Sequence, residues 1–307
     1  MPMVGIVDPS HDERSAQDEG RLPEWLPTSD VLEKAMTGDP KWSPWPFELI
    51  QAAMAEHQER DYVSSTMLTG GCGRGKVLER RADYVGDIDS MYASLMGTLI
   101  HRTLEYASRP NAVAEWRFFT TVDVNGREVE MSCSPDVVIY EGETGIWDWK
   151  KTENPPTFGY PWKSHDRQLQ FNRFIVNNAK RWVDPNGDEV SLPFSPWDVD
   201  FKHLAIVYLG PKGPKVIEVT KSREVKTPKG ATVKRRMPFI WDDDTVLEEM
   251  LPRLKAMLLG LDAYPEWPDG LEDMPGFEGP PGWTCPGKPW CGLPNCLAKR
   301  YPNGLAW

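Results

Sequence analysis

Two runs of alternating apolar and polar residues, Met131 to Tyr140 and Thr144 to Lys151, flank Glu141-Gly142-Glu143. Such a pattern folds as a hairpin. It constrains this chain more than any other feature, because it sets Ser134-Pro135-Asp136 on one strand beside Asp148-Trp149-Lys150 on the next. Residues two apart project from one strand face, so Asp148 and Lys150 point together while Trp149 goes to the opposite face. Asp136, on the neighbouring strand, completes the group. Two carboxylates and an amine so placed suit a metal site that cleaves phosphodiesters. Magnesium or manganese takes carboxylate oxygens, bridges to phosphate and lowers the pKa of a bound water. Lys150 is then placed to orient that water or stabilise developing charge.

The acidic-x-Lys triplet decides nothing alone, since Asp39-Pro40-Lys41, Asp200-Phe201-Lys202 and Glu224-Val225-Lys226 satisfy it too. Only the Asp148 copy follows a hairpin-paired Pro-Asp; a surface ion pair on an edge strand is the plain alternative. Two further elements add weight. Met91 to Glu105 has helical periodicity after a Ser90 cap, with Gly97 and His101 on one face. Glycine permits close backbone approach, and an imidazole one turn later reaches a metal held on an adjacent sheet, although a lone helical histidine is more often packed or solvated. Downstream, His165 opens an amphipathic helix running to about Lys180, on which Gln168 faces the site.

The order Gly97-x-x-x-His101, Asp136, Asp148-x-Lys150, Gln168-Leu169 resembles the RecB/AddB-like branch of the PD-(D/E)xK nuclease superfamily, which includes the CRISPR-adaptation exonucleases. The likeness spans roughly Asp61 to Ala179. It implies an α/β (α+β) fold with a restriction-endonuclease-like core, a central mixed sheet flanked by helices. It also implies that His101, Asp136, Asp148 and the Trp149 backbone carbonyl hold the metal, that Lys150 assists the water, and that Gln168 belongs to the site. Glu115 resembles an acidic position at the start of the family's first core strand; a salt bridge with a nearby arginine explains it equally well. The family's glutamine motif ends in a tyrosine four residues on, where this chain has Asn172. That departure leaves the stacking partner unassigned.

Cysteine placement is a second clue. Cys285, Cys291 and Cys296 crowd a Pro/Gly-rich tail that has no helix or strand pattern of its own and needs a staple to order. Such spacing suits metal ligation better than disulfides. The iron-sulfur members of the same branch use one early cysteine and three late ones, and Cys72 resembles the early one. Four thiolates satisfy a [4Fe-4S] cluster and would also satisfy tetrahedral zinc; the resemblance favours iron-sulfur. Cys133 reads as a packed core thiol.

A net charge of -11 argues superficially against a nucleic-acid partner, since phosphate neutralisation supplies most nonspecific affinity. Local distribution points the other way. Lys226, Lys229, Lys234, Arg235 and Arg236 read as a cationic hairpin turning at Thr227-Pro228-Lys229-Gly230, and Arg74, Arg80 and Arg81 cluster beside Cys72. DNA is therefore the expected partner, with a solvated loop as the bland reading of the hairpin. Gly70 to Lys76 is glycine-rich but runs into Val77 where a phosphate loop needs Ser or Thr, so ATP hydrolysis would need a partner chain of the recombination or helicase kind.

The chain has 307 residues, 40% of them hydrophobic, and no apolar run of membrane-spanning length. Met1 to Glu24 lacks a signal peptide's apolar stretch, which together with thiols suited to cluster assembly points to the cytoplasm, that of a virus-infected host included. The expected organisation is an N-terminal helical extension over residues 1–60, a nuclease core over 61–263, and a cysteine-bearing segment over 264–307 docking back on Cys72. The expected activity is divalent-metal-dependent DNA hydrolysis; that it is exonucleolytic, on single strands or ends in recombination, repair or replication, rests on family analogy alone. The competing readings are a noncatalytic DNA-binding or assembly module and a zinc-stapled hydrolase of other substrates.

Overall fold

The structure, a computed structural model, describes residues 3–7, 25–37, 51, 62–69, 84–86, 95–101, 103, 110–157, 160–220, 224–226, 232–234 and 239–263. In chain order its elements are β1 (Met3–Val7), β2 (Trp25–Pro27), α1 (Thr28–Thr37), β3 (Val63–Ser64), α2 (Ser65–Thr69), β4 (Tyr84–Gly86) and a helical stretch α3 (95–101). There follow β5 (Ala112–Ala114), β6 (Arg117–Val124), β7 (Arg127–Cys133), β8 (Val137–Ile139), β9 (Gly145–Lys151), α4 (Lys163–Asn177), β10 (Arg181–Val183), β11 (His203–Gly210), β12 (Gly213–Thr220), β13 (Glu224–Lys226), β14 (Thr232–Lys234) and α5 (Asp243–Ala263). The chain divides into two units, one of residues 1–61, 71–99 and 252–307, the other of 62–70 and 100–251. No helix among the described residues is long and apolar enough to cross a membrane.

In the first unit β1 pairs antiparallel with β2 and parallel with β4. The N-terminal region thus contributes strands as well as the expected helix. That helix starts at Thr28, with Ser29 and Asp30 in its first turn, where their side chains bond each other at 3.0 Å and Asp30 complements the helix dipole. Residue 51, within the region expected as a helical extension, is also helical.

The second unit contains, among the described residues, two mixed sheets, ordered β10-β6-β7-β3 and β12-β11-β9-β8-β5, together with the β13-β14 pair. A single bent hairpin supplies both sheets. Its turn, Asn125-Gly126, has both residues at positive φ, the conformation a two-residue connection requires. From there Phe118 stands opposite Cys133 in one sheet and Ala114 opposite Val137 in the other, with no slip of register between. The run expected from Met131 to Tyr140 is split at this bend into β7 and β8, and the opposite arm likewise into β5 and β6. Pro135 cannot donate to a ladder, and Glu115 sits at φ 57, outside the extended region. Asp136 therefore lies in the break just before β8 and not within a strand.

Past the bend, β8 and β9 form the hairpin read around Gly142, and β9 continues parallel to β11. Gly145 is needed there: a Cβ on it would stand 2.6 Å from the His203 carbonyl oxygen. Strand β11 turns at once into β12, its antiparallel partner.

Helix α4 packs against β6, β7, β9 and β11, and so covers both sheets. Leu169, Phe171, Ile175 and Val176 are fully buried with Phe118, Met131, Ile146 and Leu204, each worth about 1.5–3 kcal/mol for the side chain removed from water. Cys133 is a free, buried thiol whose Sγ lies 3.6 Å from the Asn172 carbonyl oxygen. The helix also buries its polar side. Gln170 donates to the Phe239 carbonyl and accepts from the Trp241 N–H, Asn172 accepts from the Ser65 hydroxyl at 2.6 Å, and Arg173 Nη2 reaches Asp243 Oδ1 at 2.6 Å. Covering segments on the back of α4 thus enclose residues that its pattern assigns to solvent. Asp242 caps α5, its carboxylate accepting the Thr245 N–H at 2.8 Å.

Candidate metal centre

The break in the bent hairpin is where the chemistry gathers. Glu115 and Asp136 fall opposite each other in the unbroken register, and the Glu115 N–H donates to the Asp136 carbonyl oxygen at 3.2 Å. The Ser134 hydroxyl ties the same corner by donating to the Glu115 carbonyl oxygen at 3.0 Å. Freed from the ladder, both carboxylates turn to one imidazole nitrogen: His101 Nδ1 lies 3.0 Å from Glu115 Oε1 and 2.9 Å from Asp136 Oδ1. The other oxygen of Asp136, Oδ2, accepts the Trp149 N–H and so fastens the centre to β9.

One face of β9 carries the second half of the group. Asp148 is buried, and Lys150 Nζ lies 2.7 Å from its Oδ2. Trp147 and Trp149 occupy the opposite face, their rings 6.1 Å apart. The same alternation that separates the acids from the indoles was legible in the sequence.

Electrostatics tie the two halves together. Burial opposes charge on His101, yet hydrogen bonds and charge attraction from Asp136 and Glu115 outweigh it and lift the imidazole from 6.5 to about 10. Burial pushes the Asp136 carboxyl up, and His101 and Lys150 pull it back down. Asp148 is likewise raised by burial, with Lys150 opposing and Asp136 adding to the rise. Burial works against the Lys150 ammonium, but Asp148, Asp136 and Glu115 together hold it above the ordinary lysine value. The pocket therefore gathers carboxylates whose mutual repulsion calls for cationic compensation.

One ligand atom each from His101, Glu115 and Asp136 lies within 4.8 Å of the others, close enough to hold one ion. A nitrogen with two carboxylate oxygens is a donor set for a hard or borderline divalent cation such as magnesium or manganese. Asp148 is not in this set. Its oxygen faces Lys150, while Glu115, which the family resemblance offered as a further metal ligand beside a salt-bridge reading, is within it.

The Gln168 Nε2 donates to the Thr66 hydroxyl at 3.5 Å, on the α2 side of α4. A methyl on Gly97 would meet no described atom within 4 Å. Strand pairing forms the cationic hairpin at β13 and β14, with Glu224 opposite Lys234 and Lys226 opposite Thr232. Its turn with Lys229, and Arg235 and Arg236, lie outside the described residues, as do Cys72, Arg74, Arg80, Arg81, Cys285, Cys291 and Cys296.

The sequence reading missed a cluster beside Lys150. Tyr208 stands opposite Lys150 in the parallel β9–β11 register. His165 Nδ1 lies 3.1 Å from the Tyr208 hydroxyl, which also accepts the Trp162 N–H at 3.1 Å. Burial and the adjacent Lys150 charge push His165 down to about 4, and burial lifts the Tyr208 hydroxyl to about 12. The signal available in sequence was the spacing of His165, one helical turn ahead of Gln168. Nothing in β11 marked Tyr208.

No protein-family model and no curated protein matches the chain. Among solved structures, SSO0001, known from a crystal structure, aligns at 15% identity with a TM-score of 0.42, covering 75% of this chain and 86% of that one.

Proposed function

We propose that the chain is a divalent-metal-dependent DNA nuclease with a restriction-endonuclease-like core, of the RecB/AddB-like PD-(D/E)xK kind. The observation that carries this reading is the convergence of His101, Glu115 and Asp136 within 4.8 Å, one strand from the Asp148–Lys150 pair. His101 Nδ1, Glu115 and Asp136 would hold magnesium or manganese, with Asp148 and the Trp149 carbonyl added on the family pattern. When bound, the cation polarises a phosphodiester and acidifies water. The chain's own groups do the rest. Asp136 holds the β9 backbone through the Trp149 N–H, and so keeps Lys150 at the rim of the centre. Lys150, held charged by three carboxylates, offers donors to an incoming phosphate or a positioned water. Cys72, Cys285, Cys291 and Cys296 complete the proposal as ligands of a [4Fe-4S] cluster that clamps the C-terminal segment. Absorbance near the iron-sulfur charge-transfer band distinguishes it from zinc. Exonuclease action on single strands or ends follows from the resemblance, and the basic hairpin supplies backbone contacts.

End-labelled single-stranded DNA incubated with manganese tests the reading. Wild type is expected to cleave, and Lys150→Ala and Asp136→Ala to bind without cleaving. DNA binding without cleavage by wild type would replace the nuclease with a noncatalytic binding module. Product lengths from the two ends give polarity.

A further inference from the structure

Trp162 is a large apolar side chain left 42% exposed at a place the fold has otherwise built with care. Its indole lies 5.1 Å from the His165 ring and 5.6 Å from the Tyr208 ring, the latter edge-on at 66°. His165 and Tyr208 are themselves stacked at 28° and joined through the Tyr208 hydroxyl. These contacts hold the indole from one side and leave the remainder open to solvent. Position gives the open part its meaning. Tyr208 is the strand neighbour of Lys150, about 5 Å away across the ladder, so the indole stands one side chain from the amine that faces the metal centre. Lys163, exposed and next in the chain, adds a cation at the same rim.

We infer that Trp162 is the residue on which an unpaired nucleobase stacks, setting where along the strand the phosphodiester meets Lys150; this rests on the nuclease reading above. Every base presents a π-face, so such a platform tolerates sequence. Paired bases are already stacked on both faces, so the platform accepts a frayed end or a single strand and leaves an intact duplex outside.

The test is fluorescence anisotropy of labelled oligothymidylate in EDTA, where no cleavage occurs, with a single abasic nucleotide moved along the strand. Backbone groups alone cap α4 at Trp162, so its side chain can be changed without removing the cap. Trp162→Ala is expected to weaken binding roughly 5- to 100-fold, while Trp162→Phe keeps most of it. Trp197→Ala, which removes another exposed indole, is expected to change little. In wild type one abasic position should cost the same factor, and in Trp162→Ala that penalty should vanish. An abasic scan of wild type with no sensitive position overturns the proposal even if Trp162→Ala does not fold, as does a penalty that persists in a folded Trp162→Ala. Cleavage without Trp162 dependence sinks the platform and leaves the nuclease; Trp162-dependent binding without cleavage in manganese does the reverse.

Discussion

Glu115 and Asp136 sit opposite each other where the two arms of one hairpin pass from the first sheet into the second, joined by a backbone hydrogen bond of 3.2 Å. Both carboxylates meet the same nitrogen of His101. A ladder holds successive side chains to alternate faces; a break removes that constraint. The bend is thus the means by which two strand residues acquire a common focus, and the strain of Glu115 at φ 57 accompanies it.

Glu115 should matter as much as the motif acids. Glu115→Gln is expected to weaken manganese binding by at least about 10- to 100-fold, the range caused by losing even an outer-sphere partner. The measurement is the rise in melting temperature across a manganese titration. An unchanged titration would remove Glu115 from the centre.

Metal affinity should climb with pH. His101 at about 10 carries a proton on the nitrogen a cation needs, so binding must release it. The manganese-induced shift in melting temperature is expected to grow steadily from pH 6 to pH 9. In metal-free protein the sign is opposite. A raised imidazole pKa stabilises the fold fully below 6.5, and that contribution is lost as pH rises through about 10. The stability gap between wild type and His101→Gln in EDTA should therefore close over that interval.

His165 predicts an acid limb. Its folded value of about 4 lies below the ordinary 6.5, so the unfolded chain binds the proton first. Its contribution to stability is complete above 6.5 and lost as pH falls through about 4. Denaturant midpoints of wild type and His165→Gln, compared at pH 7 and pH 5, check this: the wild type should fall further.

Gly145 and Gly97 should separate cleanly. A methyl at Gly145 collides with backbone, the His203 carbonyl, which cannot swing aside as a side chain would. Gly145→Ala is expected to cost about 1–3 kcal/mol and, under the proposed nuclease function, to reduce cleavage because Asp148 and Lys150 ride on the same strand. Gly97→Ala meets no described atom within 4 Å and should be neutral or stabilising by up to about 1 kcal/mol. Urea denaturation of both variants decides.

Arg173 and Asp243 form an ion pair between α4 and the start of α5 at 2.6 Å, with the guanidinium buried and the carboxylate half-exposed. Asp243→Asn is expected to cost about 1–2 kcal/mol, less than a fully buried pair would because solvent screens one partner. Chemical denaturation measures it.

Local features of the centre were legible because strand alternation is a property of neighbouring residues: Asp148 with Lys150 on one face, Trp149 on the other, and the turn at Gly142. His101 could be picked out as a candidate from helical spacing for the same reason. Helix α4 illustrates the limit. A polar residue in an amphipathic helix looks alike whether it meets solvent, a site or another segment, and α4 in fact buries Gln170, Asn172 and Arg173 beneath residues distant in sequence.

By itself, then, the sequence determined the hairpins, the face shared by Asp148 and Lys150, and the period of α4, since each depends on residues a few positions apart. Only the tertiary structure decided that the long hairpin bends at Glu115 and Asp136, that these two close on His101, and that Trp162, His165 and Tyr208 collect beside Lys150. Those relations depend on which sheet each arm joins and on what packs behind it. Burial across long stretches of chain sets them, and no local pattern encodes it.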